Sequence, residues 1–514
     1  MTGKVVRKMS LIESISSKLP GVQEPKAHLS FKSRLKWTVI ILLIFLFLGQ
    51  VTLYGVEKQE VARLQFFELI LGASIGTLMT LGIGPIVTAS IILQLLVGAQ
   101  IIQWDLKTTE GKKKFQGAQK LLAIFFCFFE AYAYVAFGAI KPATPDFSIF
   151  LLLILQLAFG AIIVMFMDEV VSKWGIGSGI SLFIAAGVTK QIFVRAFNPL
   201  TLPGETVPTG LIPQFLVFLS QGELFQATIA ILPIIATIIV FAVVVYIQAV
   251  KVEIPLAFGS IRGFGRRWPL NLIYTSNIPV ILIAALIANI QLVGSLMAQP
   301  GEFGGRCGPL GCFDQQGNPT SGFVQFLRPS ADLSINIFFL TLLAVTFILS
   351  MLAFHFRSQN SMKILAISAA AGLVSAIIVT HFTVGLPVGG EFLRSMIYLL
   401  IMVVGAVIFS VFWVATSGMD SKNVAEQIEG LGMQVPGFRR DPRIVEQVLN
   451  RYIPILAILS GLIIGLIAAV ADFTNALGTG TGILLTVSIV YNFYEQISVR
   501  YVEEMNPAVR KFFK

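Results

Sequence analysis

The chain has 514 residues, of which 56% are hydrophobic and only 12% charged, with a formal net charge of +10. A soluble domain carries about 25% charged residues, so this composition excludes an ordinary water-facing globule. Apolar runs long enough to cross a hydrocarbon core of about 30 Å recur along the whole length, as in a polytopic α-helical membrane protein.

In chain order the apolar runs predict spans at about 37–55, 76–99, 119–140, 148–168, 177–195, 226–249, 271–296, 334–354, 363–383, 394–416, 452–471 and 479–498. The first is too long for the apolar region of a signal peptide and is read as a retained span. With the N-terminus in the cytosol, 29 of the 37 Lys and Arg residues fall inside. The other side then carries only eight: Lys58, Arg63, Lys141, Lys190, Arg195, Arg306, Arg328 and Arg394. That bias predicts both termini inside and accounts for most of the net charge without nucleic acid.

Two connections stand out. From Arg63 to Ala99 the chain is apolar for nearly twice the length of one span, with Gly72 and Gly76 in the middle. This divides into a short half-helix at about 65–75 and a full span. Such a half-helix either tucks into a cavity inside the protein or lies at the membrane interface. The loops 251–270 and 417–452 are long and carry Arg262, Arg266 and Arg267, and Arg439, Arg440 and Arg443, beside Gly and Pro. They fit docking on ribosomal RNA through phosphate neutralisation, or positive-inside bias alone.

Catalytic signatures are missing. His28, His355 and His381 are scattered and match neither a metal site nor a triad. The glycine-rich stretches 175–179 and 478–482 match neither a P-loop nor a dinucleotide fingerprint. They stand at the starts of spans, where glycine serves close helix packing. Neither an enzyme nor a bound cofactor is expected. Glu130 is read as the one carboxylate deep in a span, either as a functional group or as a simple interhelical hydrogen bond. Cys307 and Cys312, on the predicted outer side, form a disulfide across a tight loop or remain two thiols.

Residues 75–89 (IGTLMTLGIGPIVTA) closely resemble the second transmembrane segment of the SecY family in its archaeal form. SecY proteins are the pore-forming subunits of the protein-conducting channel. The resemblance continues in family order at 168–187 (DEVVSKWGIGSGISLFIAAG), 252–259 (VEIPLAFG), 276–280 (SNIPV) and 480–490 (GTGILLTVSIV). It covers essentially the whole chain apart from roughly 300–390.

The resemblance implies a ten-helix, inverted-repeat bundle with halves at 1–195 and 196–514, and an hourglass pore between them. It maps an aliphatic pore ring onto Ile83, Val87, Ile180, Ile184, Ile281 and Leu485, and a plug onto Phe66, Phe67, Leu69, Ile70 and Leu71. A lateral gate through which signal sequences and new membrane helices leave for the lipid falls on Thr88, Glu130 and Asn289. Arg439 matches a basic residue of the family's longest cytosolic loop, and with Arg262, Arg266, Arg267 and Arg440 it resembles a ribosome-docking surface. The implied partners are a SecE-like and a β-type small subunit, the ribosome with its RNA, nascent polypeptides and membrane lipids. The implied location is the plasma membrane of an archaeon. The family has ten spans and this chain twelve, so 334–354 and 363–383 are read as an added hairpin. Two readings compete with the channel: a secondary transporter, which needs a polar midplane site, and a poreless scaffold.

Overall fold

The computed structural model describes the chain except for residues 1–20, 28, 57–75, 99–100, 103, 105–107, 137–139, 202–206, 259–264, 301–305, 315–318, 331, 356–360, 386, 388, 431–432, 435–441, 479 and 506–514. The expected plug therefore lies outside the described residues, as do Arg262, Arg439 and Arg440. The helices are α1 Phe31–Leu48, α2 Gly84–Gly98, α3 Thr109–Ala136, α4 Phe147–Trp174, α5 Gly179–Phe197, α6 Leu211–Gln221 and α7 Leu224–Ala249. They continue with α8 Ile278–Leu296, α9 Leu333–His355, α10 Ser361–Thr383, α11 Gly389–Thr416, α12 Ser421–Gly430, α13 Pro442–Phe473 and α14 Gly480–Met505. Nine of those described are long and apolar enough to cross a membrane. The other predicted spans, 37–55, 76–99 and 479–498, overlap α1, the 15-residue α2 and α14. The short helices α6 and α12 lie in connections that the hydropathy pattern leaves as loops, because neither has the length of a span.

The chain folds as two compact units: 1–187 with 415–419 and 492–514, and 188–414 with 420–491. In the first unit the side chain of Ser30 caps α1 by accepting the Ser33 amide at 3.4 Å. Two turns further on, the buried Thr38 hydroxyl accepts the amide of Ile176 at 3.0 Å, which ties α1 to the turn after α4. Phe45 stacks on Phe183 with ring centroids 4.5 Å apart, fixing α1 against α5. The N-terminal segment is strapped across the ends of α3 and α4. Glu169 accepts the Val22 amide at 2.9 Å and pairs with Lys120. The Trp174 indole donates to the carbonyl of Gln23 at 2.8 Å.

The second apolar run departs from its expected uniform helix. Helix α2 begins only at Gly84, and residues 76–83 form successive turns, with Gly76 and Gly82 at positive φ. Their backbone groups are satisfied locally, as buried irregular backbone requires. Leu53 donates its amide to Gly76 and Leu78 to Val51, both at 2.9 Å, while the Thr80 hydroxyl accepts the Thr77 amide at 3.0 Å. Helix α4 comes so close that a Cβ at Gly160 would lie 1.8 Å from the Leu78 carbonyl oxygen.

In the second unit α13 packs on α11 through Gly461 and Gly465. Cβ atoms there would come within 2.7 Å and 2.9 Å of the α-carbons of Val407 and Val403. Four-residue glycine spacing lets two apolar helices touch backbone to backbone where lipid supplies no hydrophobic drive. Beside this contact three buried hydroxyls meet: Thr275 lies 3.0 Å from Ser410 and 2.8 Å from Ser460. Helices α9 and α10 form the predicted helical hairpin. Ser368, Gly372, Ala376 and Thr380 are the buried stripe of α10, and a Cβ at Gly372 would lie 2.4 Å from the Thr346 hydroxyl on α9.

Two small antiparallel sheets complete this unit. Strands β1 Lys251–Phe258, β2 Gly265–Asn271 and β7 Met433–Gln434 form one, in the order β2-β1-β7. Strands β3 Gln299–Pro300, β4 Arg306–Gly308, β5 Gly311–Phe313 and β6 Pro319–Gly322 form the other, in sequential order. Cys307 and Cys312 face each other across β4 and β5 and are disulfide-bonded. Of the two alternatives left open by the sequence, the bonded one holds.

Candidate functional site

The six ring positions sit on four helix starts. Ile83 closes the turn before α2, and its carbonyl accepts the Val87 amide at 3.0 Å, so the two stand one helical turn apart. Ile180 and Ile184 occupy the first turns of α5 with the same spacing, and Ile184 is buried. These four belong to the first unit. Ile281 lies in the first turn of α8, where its amide donates to Asn277 at 3.2 Å. Leu485, also buried, lies in the second turn of α14. Both belong to the second unit. Every candidate is branched and aliphatic, so none offers a polar atom to a small solute.

Two of these helix starts share a construction that hydropathy does not reveal. At α5, Asp168 reaches across from α4: its Oδ1 accepts the Ile180 amide at 2.9 Å, and the carboxylate also takes the Gly179 amide. The close approach depends on glycine, since a Cβ on Gly179 would lie 2.6 Å from the Asp168 α-carbon. The turn before it holds Gly177 at φ +73°. At α14, Asp472 reaches across from the end of α13, with Oδ1 accepting the Thr481 amide at 3.1 Å and the carboxylate also taking the Gly480 amide. Here a Cβ on Gly480 would lie 2.1 Å from the Ala471 carbonyl carbon, and Gly478 precedes it at φ +89°. Asp472 binds two further donors, the Thr481 hydroxyl at 3.4 Å and the Tyr398 phenol of α11 at 2.8 Å. In both places an anion meets the free amides and positive dipole end of a helix.

Helices α4 and α13 continue to Trp174 and Phe473, past the expected span ends at 168 and 471. Glu130 is the carboxylate that the sequence places deep in a span, whereas Asp168 and Asp472 lie on these helices at or just past the expected span ends. The signal that could have found them is the repeated order of aspartate, glycine-rich turn and apolar helix.

Of the gate candidates, Thr88 on α2 and Glu130 on α3 share a side-chain hydrogen bond within the first unit. Asn289 lies on α8 in the second unit, and its side chain is exposed. Among the described residues, no group of three or more His, Cys, Asp or Glu is placed to hold a metal ion.

The two basic loops, separate in the sequence, are joined by backbone hydrogen bonds. Strand β1 pairs with β2 so that Arg266 stands opposite Leu256 and Arg267 opposite Pro255. On its other edge β1 pairs with β7, Ala257 opposite Gln434 and Phe258 opposite Met433. The sheet thus places Arg266 and Arg267 on a strand next to the one that pairs with the start of the Arg439 segment.

The SecY family profile matches residues 77–494. The protein translocase subunit SecY of Pyrococcus furiosus is 39% identical over 520 residues, covering 98% of each chain. That of Methanocaldococcus jannaschii is 41% identical over 503 residues, covering 98% of this chain and 99% of the relative. Among solved structures, one described as "The structure of a protein conducting channel" superposes with a TM-score of 0.75 at 40% identity, covering 96% of this chain and 98% of that one. Sec61 in the canine ribosome-channel complex gives a TM-score of 0.72 at 40% identity with the same coverage. With a match this long on both counts, the chain belongs to the SecY family of protein-conducting channel subunits.

Proposed function

We propose that this chain is the central subunit of a protein translocation channel, conducting secretory polypeptides across the membrane and releasing membrane helices sideways into lipid. The observation that carries the reading is full-length similarity to translocase SecY subunits and channel structures. The chain's halves, 1–195 and 196–514, form the family's inverted repeat, a reading supported by a division into two compact units whose main boundary falls at 187/188. The protein works in the plasma membrane as a passive conduit and catalyses no reaction. Driving force comes from a partner, and the canine relative is seen in a ribosome-channel complex. The small SecE-like and β-type subunits complete the assembly.

Ile83, Val87, Ile180, Ile184, Ile281 and Leu485 form the constriction. Branched aliphatic side chains make a compliant gasket: it fits a passing chain of any sequence, and at rest it excludes ions by dewetting. Residues 65–75 plug the pore. Thr88, Glu130 and Asn289 latch the lateral gate; interhelical hydrogen bonds in a membrane are worth only about 1 kcal/mol each, so a hydrophobic helix can part them without fuel. Arg266 and Arg267 of β2, with Arg262, Arg439 and Arg440 of the two basic loops, dock on ribosomal RNA; the pairing of β1 with both β2 and β7 supports this reading.

Site-specific photocrosslinking tests the pore. A probe at Val87 should capture a ribosome-stalled secretory chain, while a probe at the exposed Leu43 of α1 should not. A competent complex that crosslinks at neither position would rule out this mapping and reopen the transporter reading.

A further inference from the structure

The glycine-rich turns that match no nucleotide motif have a different use. We infer that Asp168 and Asp472 are a repeated pair of positioning residues, one in each unit, that set the axial register of the two helices carrying Ile180, Ile184 and Leu485. This rests on the ring assignment above.

The two arrangements share four parts. A carboxylate stands on one apolar helix; a glycine at positive φ turns the chain two residues before the next helix; that helix opens on glycine; and its first two amides bind the carboxylate. Gly179 and Gly480 both approach the preceding helix closer than any Cβ would permit. An ordinary capping oxygen comes from the residue just before the helix and moves with it. Here it comes from a different helix, 11 residues upstream of Gly179 and 8 upstream of Gly480, so the helix start is pinned to a neighbour rather than to itself. The pinned point is within two turns of the ring: Ile180 is itself the amide donor to Asp168, and Leu485 is four residues beyond Thr481. A rise of about 1.5 Å per residue means that one residue of slippage would carry each ring side chain out of its layer. By the Lys/Arg bias the Asp168 turn is cytosolic and the Asp472 turn external, as an inverted repeat requires.

The test is resting ion conductance of the full channel complex in planar bilayers. Asp168→Ala and Asp472→Ala should each raise the resting leak at least about tenfold, since each loses two or more charge-assisted hydrogen bonds and a single one is worth about tenfold in a closed-to-open equilibrium. Asp168→Asn and Asp472→Asn keep an acceptor oxygen and should restore most of the seal. Gly372→Ala, which crowds Thr346 in the α9–α10 hairpin that carries no ring residue, controls for loss of thermal stability and should not leak. Leu485→Asn reports on the ring directly. Leak from Leu485→Asn with wild-type conductance in both alanine variants would overturn the positioning role and leave the ring standing. Silence in all three would overturn both readings. An equal leak from Gly372→Ala would reduce the carboxylates to general stability and also overturn the inference. If an alanine variant fails to assemble, Gly179→Ala and Gly480→Ala displace the same helix starts with both carboxylates retained and must leak for the inference to hold.

Discussion

The helix starts at α5 and α14 are built on one plan and anchored to different depths. Asp168 holds two backbone amides of α5 and so joins two consecutive helices. Asp472 holds two amides of α14, the Thr481 hydroxyl and the Tyr398 phenol, and so joins α13, α14 and α11. Tyr398 and Phe473 are buried beside it, with ring centroids 5.6 Å apart. The difference teaches that one local device can be a simple clasp in one unit and the centre of a polar network in the other. A network with several donors on one carboxylate loses more when the acceptor is removed, because every donor is then left unpaired in a dry setting.

Four substitutions sharpen or break that comparison. The largest effect is expected for Asp472→Ala, a loss of about 4 kcal/mol against about 2 kcal/mol for Asp168→Ala, since four donors are orphaned rather than two. Thermal unfolding of the purified complex measures the ranking, and equal losses would show that the extra partners of Asp472 contribute nothing. Next comes Gly480→Ala, expected to cost about 3 kcal/mol by forcing α14 away from the end of α13. A melt within experimental scatter of wild type would mean that the close approach is not required. The smallest is Tyr398→Phe, which removes a single hydrogen bond and should cost about 1 kcal/mol. Added to the Asp472→Ala background it should cost little more, because its acceptor is already gone. Full additivity in that double-mutant cycle would separate the phenol from the cap.

How much of this was legible in the sequence varies by element. The long, strongly apolar central stretches of α4, α7 and α11 need no tertiary information, since a helix apolar on nearly every face belongs in lipid or a core. The Cys307–Cys312 bond was legible only as one of two outcomes, because spacing alone does not say whether two strands bring thiols face to face. The uniform helix expected at 76–99 failed at its start. Periodicity counts Met79, Leu81 and Ile83 as helical apolar residues, whereas three glycines and the hydroxyls of Thr77 and Thr80 hold them in buried turns. The link between the two basic loops was invisible, because β1 and β7 lie far apart in the chain and β7 is two residues long.

By itself the sequence determined the membrane class, the order of the apolar helices and, through the run of motifs from 75 to 490, the family. Those properties follow from composition and local periodicity, which each segment carries without reference to any other. Only the tertiary structure decided which carboxylates clasp which helix starts, where α2 begins and which strands join the basic loops. Each of these depends on a polar group finding a partner that is not its neighbour in the chain, and apolar surroundings make the right partner costly to miss.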